Sequence, residues 1–233
     1  MKVMRSFKKF SILFFALSIL IACVVSLTLG FNLPKWFPFT TERSLNEWQD
    51  KIFKGKVVYK IEHSGPQGYL HALSIGSASA IFYRIRGRFN TEDYPMISWK
   101  WKVIRFPDKK KLKMRQGIES DDYAARVYVI FPSINFLVSK ALEYVWDESL
   151  PEGTISESPY SKNIRLMVVQ TGRDKLDSWI FEERNIFQDY RKAFGRNPSV
   201  KIGAIALMSD ADNSQDISEA YFDEIKIGYK KER

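Results

Sequence analysis

Acidic residues alternate with other residues in one loop near the C-terminus of the chain. They are Asp210, Asp212 and Asp216, with Ser214 in the same register. Oxygen ligands at alternate loop positions are typical of calcium sites. The EF-hand pattern does not fit, since Gln215 stands where its turn glycine belongs. The loop therefore predicts either a calcium site of another type, with ligands Asp210, Asp212, Asp216 and Asp223, or a polar turn whose side chains cap their own backbone.

Two further groups of charges lie outside that loop. Asp121 and Asp122 stand just before a predicted strand that carries Arg126, and Glu183 stands in a charged segment near residue 184. Two carboxylates about 5–10 Å apart across a cleft can cleave a glycosidic bond, which makes Asp121, Asp122 and Glu183 the catalytic candidates. The alternative is a structural network, because arginine pairs with carboxylates through two parallel hydrogen bonds. If the strand has already begun at residue 121, the two aspartates point to opposite faces and only one joins a given site.

The same residues are candidates for ligand binding. Polar groups that flank an apolar fold interior can orient a bound molecule. The predicted ligand-binding set is Asp121, Arg126, Arg184, Asp189, Arg191, Asp212 and Asn213.

Other chemistries have no support in the sequence. Its histidines are His63 and His71, both in the first predicted strand pair, and the chain carries no nucleophile elbow, phosphate loop, dinucleotide fingerprint or zinc-ligand spacing. The formal charge is +9, of which the four basic residues before residue 10 supply four, leaving +5. That surplus is too small to indicate nucleic-acid binding.

The N-terminal segment predicts export. Residues 10–34 carry no charge, residues 10–29 are almost wholly apolar, and the basic residues precede them. About 20 apolar residues match a bilayer-spanning helix, and basic flanks stay cytoplasmic. We expect a signal-anchor in the inner membrane with the domain in the periplasm; a cleaved signal peptide, or a lipoprotein acylated at Cys23, are the alternatives. Cys23 is the only cysteine, so the exported part has no internal disulfide.

The remaining chain predicts a single β-sandwich domain over residues 35–233, after a targeting segment over 1–34. Strong alternation marks residues 97–103 and 125–131, and Trp99 and Trp101 fall on the apolar face of the first of these. Core packing is the simpler interpretation for both tryptophans, and a sugar-stacking platform is the alternative. Residues 134–146 fit a helical stripe. Asn185 and Gly195 bound a short helix as N-cap and C-terminal residue.

Eight to ten short strands with few helices favour an all-β fold, an antiparallel sandwich of the jelly-roll, galactose-binding-like type. The apolar runs at 200–208 and 220–227, on either side of the acidic loop, predict a hairpin-like unit.

With these residues in place, the chain resembles a bacterial family catalogued as domain of unknown function 3047. The resemblance rests on five groups of residues: 77–79, Pro95 with 99–101, 121–122 with 125–129, 183–195, and 210–213 with 220–225. It implies an exported protein and brings no activity with it. The ending at residues 221–225 is also similar to the last strand of carbohydrate-binding jelly rolls.

Together these features predict a membrane-tethered periplasmic module that binds a glycan or another cell-envelope component and lacks catalysis. A hydrolase that uses the Asp and Glu pairs, and a structural envelope protein acting through protein contacts, are the alternatives. The sequence leaves the oligomeric state open.

Overall fold

The structure, a computed structural model, describes residues 33–112, 120–133 and 139–231. Cys23 and nearly all of the predicted targeting segment lie outside these residues, so the division at residue 34 stays a prediction. Among the described residues, no helix has the length and apolar character needed to cross a bilayer.

Two β-sheets contain nearly all of the regular structure. Sheet A has the order β11-β6-β13-β4-β3, and β1 pairs with the end of β13. Its strands are β1 (Lys35–Phe37), β3 (Val58–Ser64), β4 (Gln67–Ile75), β6 (Met96–Arg105), β11 (Ile180–Asn185) and β13 (Ile217–Tyr229).

Sheet B has the order β2-β5-β12-β7-β8-β10-β9. Its strands are β2 (Trp48–Lys54), β5 (Ala78–Phe89), β7 (Ala125–Phe131), β8 (Lys140–Asp147), β9 (Ile155–Ser158), β10 (Ser161–Thr171) and β12 (Ile202–Asp210). Every pairing in both sheets is antiparallel except that of β8 with β10. The predicted all-β sandwich of jelly-roll type is therefore confirmed.

The core lies between the two sheets and is rich in aromatic rings. Trp99 of β6 packs on Tyr144 of β8 with 5.3 Å between ring centroids, and Trp101 lies 6.1 Å from Trp146. All four side chains are fully buried. Trp99 and Trp101 therefore serve as core residues, as their alternation favoured, and the sugar-stacking interpretation of this pair is wrong.

One α-helix, α1 (Ile186–Phe194), packs beside β8, β10 and β11. The Asn185 side chain accepts a hydrogen bond from the Gln188 backbone N–H at 3.0 Å, and Gly195 ends the helix at φ 68°. Both boundaries agree with the sequence prediction. Two short 3₁₀ helices, Glu42–Leu45 and Lys109–Leu112, complete the described elements.

Two local predictions are wrong. Where residues 134–146 fitted a helical stripe, residues from Lys140 onward form strand β8. Both faces of sheet B are buried here, so inward Leu142 and Tyr144 and outward Ala141 and Val145 are all apolar, and the alternation disappears from the sequence. The hairpin-like unit is also absent, because β12 lies in sheet B and β13 in sheet A, and the acidic loop crosses between the sheets.

Candidate functional site

Strand β7 presents a guanidinium on the outer face of sheet B. Its inward residues, such as Val127 and Val129, join the main core, so alternation turns Arg126 and Tyr128 to the opposite face. Tyr128 lies opposite Glu143 of β8, and Arg126 lies opposite Met208 of β12, two residues before Asp210. Strand register therefore gathers a base and two acids from three neighbouring strands.

Arg126 is the centre of a buried ionic cluster, which we call the Arg126 cluster: Asp121, Arg126, Glu143 and Asp210. Its Nε donates to Asp210 Oδ1 at 2.9 Å, and Nη2 donates to Asp210 Oδ2 and to the Asp121 carbonyl. Its Nη1 donates to Glu143 Oε1, which also accepts from the Tyr128 hydroxyl at 2.9 Å. Each of the four charged side chains is no more than 5% exposed.

Burial opposes ionisation of the acids in this cluster. It raises the pKa of Asp121 to about 7, although the guanidinium of Arg126 acts in the opposite direction. Burial likewise raises the pKa of Asp210 well above its ordinary value, again against the effect of Arg126. One guanidinium is therefore insufficient to keep Asp121 and Asp210 at their ordinary acidity.

Asp122 fastens the loop between β12 and β13. Its two carboxylate oxygens accept hydrogen bonds from the backbone N–H groups of Asn213 (3.1 Å) and Ser214 (2.6 Å). Because β7 begins only at Ala125, residues 121 and 122 precede the strand and its alternation does not apply. Asp121 and Asp122 consequently both lie near Asp210 and the β12–β13 loop, whereas strand alternation would have placed only one of them there.

Three carboxylates meet beside the loop. Oxygen atoms of Asp122, Asp210 and Asp212 all lie within 4.8 Å of one another. The Lys54 ammonium approaches Asp212 Oδ2 at 3.7 Å and donates to the Asp212 carbonyl at 2.9 Å. Of the four predicted calcium ligands, this group contains Asp210 and Asp212, and it adds Asp122.

The other two predicted ligands have different surroundings. Asp216 accepts hydrogen bonds from Arg105 Nη2 at 3.0 Å and from the Asp108 backbone N–H at 2.8 Å. Asp223 lies on β13 of sheet A, where it accepts from Gln67 Nε2 at 3.2 Å. Neither belongs to the group of three carboxylates.

A cavity of about 60 Å³ opens beside the Arg126 cluster. Its polar end is formed by the cluster and by Asp212. Its walls are largely apolar, with Phe53, Ala78, Ala80, Ile164 and Met208, and they also carry the hydroxyl groups of Tyr128, Ser158 and Tyr160. Asp121, Arg126 and Asp212 from the predicted ligand-binding set line this cavity, and Asn213 is bonded to Tyr160 of its wall at 3.3 Å.

The second predicted charged group lies at helix α1. Arg184 donates from Nε and Nη2 to the two oxygens of Asp189 at 2.9 and 2.7 Å, and Tyr144 donates to the same carboxylate at 3.1 Å. Asp189 is 2% exposed, so Arg184 forms a buried arginine–carboxylate pair of the structural kind that the sequence offered as an alternative to a site, with Asp189 as its partner and not Glu183. Arg191 is exposed, with its guanidinium 5.9 Å from the Phe187 ring centroid.

Glu183 lines a different groove from Asp121. That groove, about 620 Å³, is bordered by Glu183, Arg184 and Asp189 and shares no lining residue with the cavity at Arg126. Glu183 accepts from the Tyr229 hydroxyl at 3.1 Å and pairs with Lys231 at 3.0 Å. The structure therefore does not bring Glu183 together with Asp121 and Asp122.

Three aromatic side chains that the sequence analysis did not single out meet on the outer face of sheet A. We call Tyr69, Trp179 and Tyr221 the aromatic platform. The Tyr69 ring centroid lies 5.6 Å from that of Trp179 and 5.1 Å from that of Tyr221, and Trp179 lies 6.4 Å from Tyr221. Trp179 is 39% exposed, and Phe181, two residues further along, is 55% exposed.

Polar groups surround the aromatic platform. The Lys102 ammonium lies 4.8 Å from the Tyr221 ring centroid and bonds Asp177 at 3.0 Å. On the other side His71 stacks on Tyr221 at 4.6 Å, held between Glu62 (3.0 Å) and Glu219 (2.8 Å). The platform thus places three aromatic rings, of which Trp179 is the most exposed, next to charged hydrogen-bonding groups of both signs.

Alternation could have located one ring of this platform. Phe222 is fully buried, so Tyr221 must face outward from the same strand. Trp179 precedes β11, which among the described strands pairs with β6 alone and so forms an edge of sheet A. That edge position, which leaves Trp179 exposed, follows from the sheet order and leaves no mark in the local sequence.

The fold and these sites define a two-sheet β-sandwich with a buried ionic cluster on one sheet and an exposed aromatic platform on the other. The chain belongs to the family described as "Protein of unknown function (DUF3047)", which it matches over residues 46–226. The family resemblance is therefore confirmed. Comparison with curated proteins gave no match.

Among solved structures, the chain is similar to the family 11 carbohydrate-binding module of the cellulosomal cellulase Lic26A-Cel5E of Clostridium thermocellum. Identity is 13%, coverage is 88% of this chain and 99% of that one, and the TM-score is 0.48. The family 30 carbohydrate-binding module of the cellulase Cel9D-Cel44B of the same organism gives 9% identity, 85% and 99% coverage and a TM-score of 0.44. A cellulase derived from Cel12A of Rhodothermus marinus gives 10% identity, coverage of 83% of this chain and 96% of that one, and a TM-score of 0.45. Similarity at this level concerns the fold alone.

Proposed function

We propose that the protein is a non-catalytic glycan-binding module of the cell envelope, and that the aromatic platform is its binding surface. The observation that carries the proposal is the meeting of Tyr69, Trp179 and Tyr221 on the outer face of sheet A, outside the core. Apolar patches rimmed by polar groups on a protein surface are typical of binding sites.

The chemistry of the platform suits a sugar ring. A pyranose has a flat C–H face that packs on an aromatic ring, and a rim of hydroxyl groups that both donate and accept hydrogen bonds. Lys102 and Asp177 on one side, and Glu62 and Glu219 on the other, supply donors and acceptors within reach of that rim. A purely apolar partner would leave these charges desolvated.

The absence of catalysis and the cellular placement are parts of the same proposal. The candidate acids have partners within the protein: one oxygen of the Asp121 carboxylate accepts from Arg126 at 3.5 Å, both oxygens of Asp122 accept from the β12–β13 loop, and Glu183 contacts Tyr229 and Lys231. The uncharged segment at residues 10–34, preceded by basic residues, supports tethering to the inner membrane with the module in the periplasm.

Binding of the full-length protein to envelope and plant polysaccharides tests the proposal. The protein should be held in a polyoxyethylene detergent, which has no sugar headgroup to compete. We expect saturable binding to at least one glycan and an affinity loss of about tenfold or more, or about 1.4 kcal/mol, in Trp179→Ala.

Trp36→Ala is the matched control, since Trp36 is 59% exposed and has no ring contact with the aromatic platform among the described residues. It should bind like the wild type, and both variants should keep the wild-type melting temperature. Equal affinities of Trp179→Ala and wild type, or no binding to any glycan, would contradict the proposal.

A further inference from the structure

Arg126 has no N–H donor left for an anionic ligand in the cavity. A guanidinium carries five N–H donors. Nε and Nη2 of Arg126 serve Asp210 and the Asp121 carbonyl, and Nη1 serves Glu143 Oε1 and, at 3.5 Å, Asp121 Oδ2. Arg126 is thus fully engaged within the protein, so it holds the acids in place and does not bind the ligand itself.

Acceptor atoms remain on the same wall. Among the described residues, none donates a hydrogen bond to Asp121 Oδ1 or to Glu143 Oε2. Asp121 is 5% exposed and Glu143 is 1% exposed, and both line the cavity. Each of these two oxygens has lone pairs with which it can accept a hydrogen bond from a ligand in the cavity.

The charge of the cavity lining also favours a cationic ligand. Four carboxylic acids line the cavity, namely Asp121, Glu143, Asp210 and Asp212, against one guanidinium. The Lys54 ammonium reaches only Asp212, at 3.7 Å. A ligand carrying a positive charge would be attracted to this acidic lining.

The size and walls of the cavity limit what can enter. A water molecule needs about 10–15 Å³ of such volume, so a cavity of about 60 Å³ holds a group of a few heavy atoms and not a sugar ring. The walls opposite the acids, including Ala78, Ala80 and Ile164, are apolar and suit methylene groups. Tyr128 at the base adds an aromatic ring, which also attracts cations.

We propose that this cavity binds a primary ammonium group on a short alkyl chain, with Asp121 and Glu143 accepting its N–H donors and the apolar wall covering its methylene groups. The site lies on the outer face of sheet B, whereas the aromatic platform lies on sheet A. The inference therefore stands independently of glycan binding at the platform.

Three probes with three carbon atoms each separate charge from shape: n-propylamine, 1-propanol and propionate. Titration calorimetry of the full-length protein at pH 8, with a chelator present to remove divalent cations, should show binding of propylamine with a Kd on the order of millimolar. The alcohol should bind at least tenfold more weakly, and propionate should not bind. This comparison needs no variant and so does not depend on the folding of one.

Glu143→Gln should weaken propylamine binding at least tenfold, because it removes the charge and keeps the oxygen that faces Arg126. Glu47→Gln is the matched control, since Glu47 is exposed and pairs only with Lys35 at 3.7 Å. Trp179→Ala should leave amine binding unchanged. Equal binding of amine and alcohol, binding of propionate, or wild-type affinity in a folded Glu143→Gln protein would overturn the inference.

Discussion

Replacing Arg126 by methionine should destabilise the protein more than any exposed substitution. The change removes the guanidinium and leaves Asp121, Glu143 and Asp210 buried without a counter-charge. Removal of one partner from a buried ionic cluster costs about 3–5 kcal/mol. For a chain of this size, with an m-value of about 2–3 kcal/mol per M urea, the unfolding midpoint should fall by roughly 1–2 M.

The loss of stability in Arg126→Met should depend on pH, and the acids of the Arg126 cluster determine whether it grows or shrinks as the pH rises. Without Arg126, the folded-state pKa values of Asp121 and Asp210, already raised in the wild type, rise further above their unfolded values of about 4. Between the unfolded and the folded pKa values, the folded variant holds protons that the unfolded chain has released. Its free energy of unfolding therefore falls as the pH rises through that range. The difference from wild type should be larger at pH 8 than at pH 5.

Urea unfolding of the full-length protein, followed by tryptophan fluorescence at both pH values, measures this loss. Trp99, Trp101 and Trp146 are fully buried and report core opening. Arg191→Met is the control, since Arg191 is exposed, and it should change stability by no more than about 0.5 kcal/mol. A loss below about 1 kcal/mol in Arg126→Met, or an equal loss at pH 5 and pH 8, would refute the argument.

Two further predictions concern the same end of sheet B. In the wild type, Asp121 has a folded pKa of about 7 against about 3.9 unfolded, so its titration lowers the free energy of unfolding as the pH rises from about 4 to 7, by at most about 1.4 kcal/mol per pH unit. Asp121→Asn should flatten this pH dependence, measured by urea unfolding. An unchanged slope would contradict the assignment. Calcium should raise the melting temperature of the chelator-treated protein, Asp212→Asn should abolish the rise, and Asp223→Asn should keep it because Asp223 lies on the other sheet. Identical melting curves with calcium and with chelator would rule out the metal site.

Local sequence periodicity was sufficient to predict a strand wherever the residues on its two faces differ in character. The predicted strand at 125–131 agrees with β7, Ala125–Phe131, and the Asn185 and Gly195 caps of α1 are where the sequence placed them. Caps and alternation act over a few residues, so the local sequence determines them. The β-sandwich class followed from the number and shortness of such strands.

The tertiary structure alone determined which strands become neighbours, and with them the composition of both sites. Glu143 escaped notice because β8 is apolar on both faces, yet strand pairing places it against Arg126 and Tyr128. Asp216 shares the alternation of Asp210 but bonds Arg105, and Asp223, the fourth predicted ligand, bonds Gln67 on sheet A.

The aromatic platform shows the same division. Alternation determined that Tyr221 faces away from the core, but Tyr69 and Trp179 join it only because β4, β13 and β6 lie side by side with β11 at the edge. Long-range pairing depends on the packing of the whole chain, whereas the sequence determines only the face on which each side chain lies.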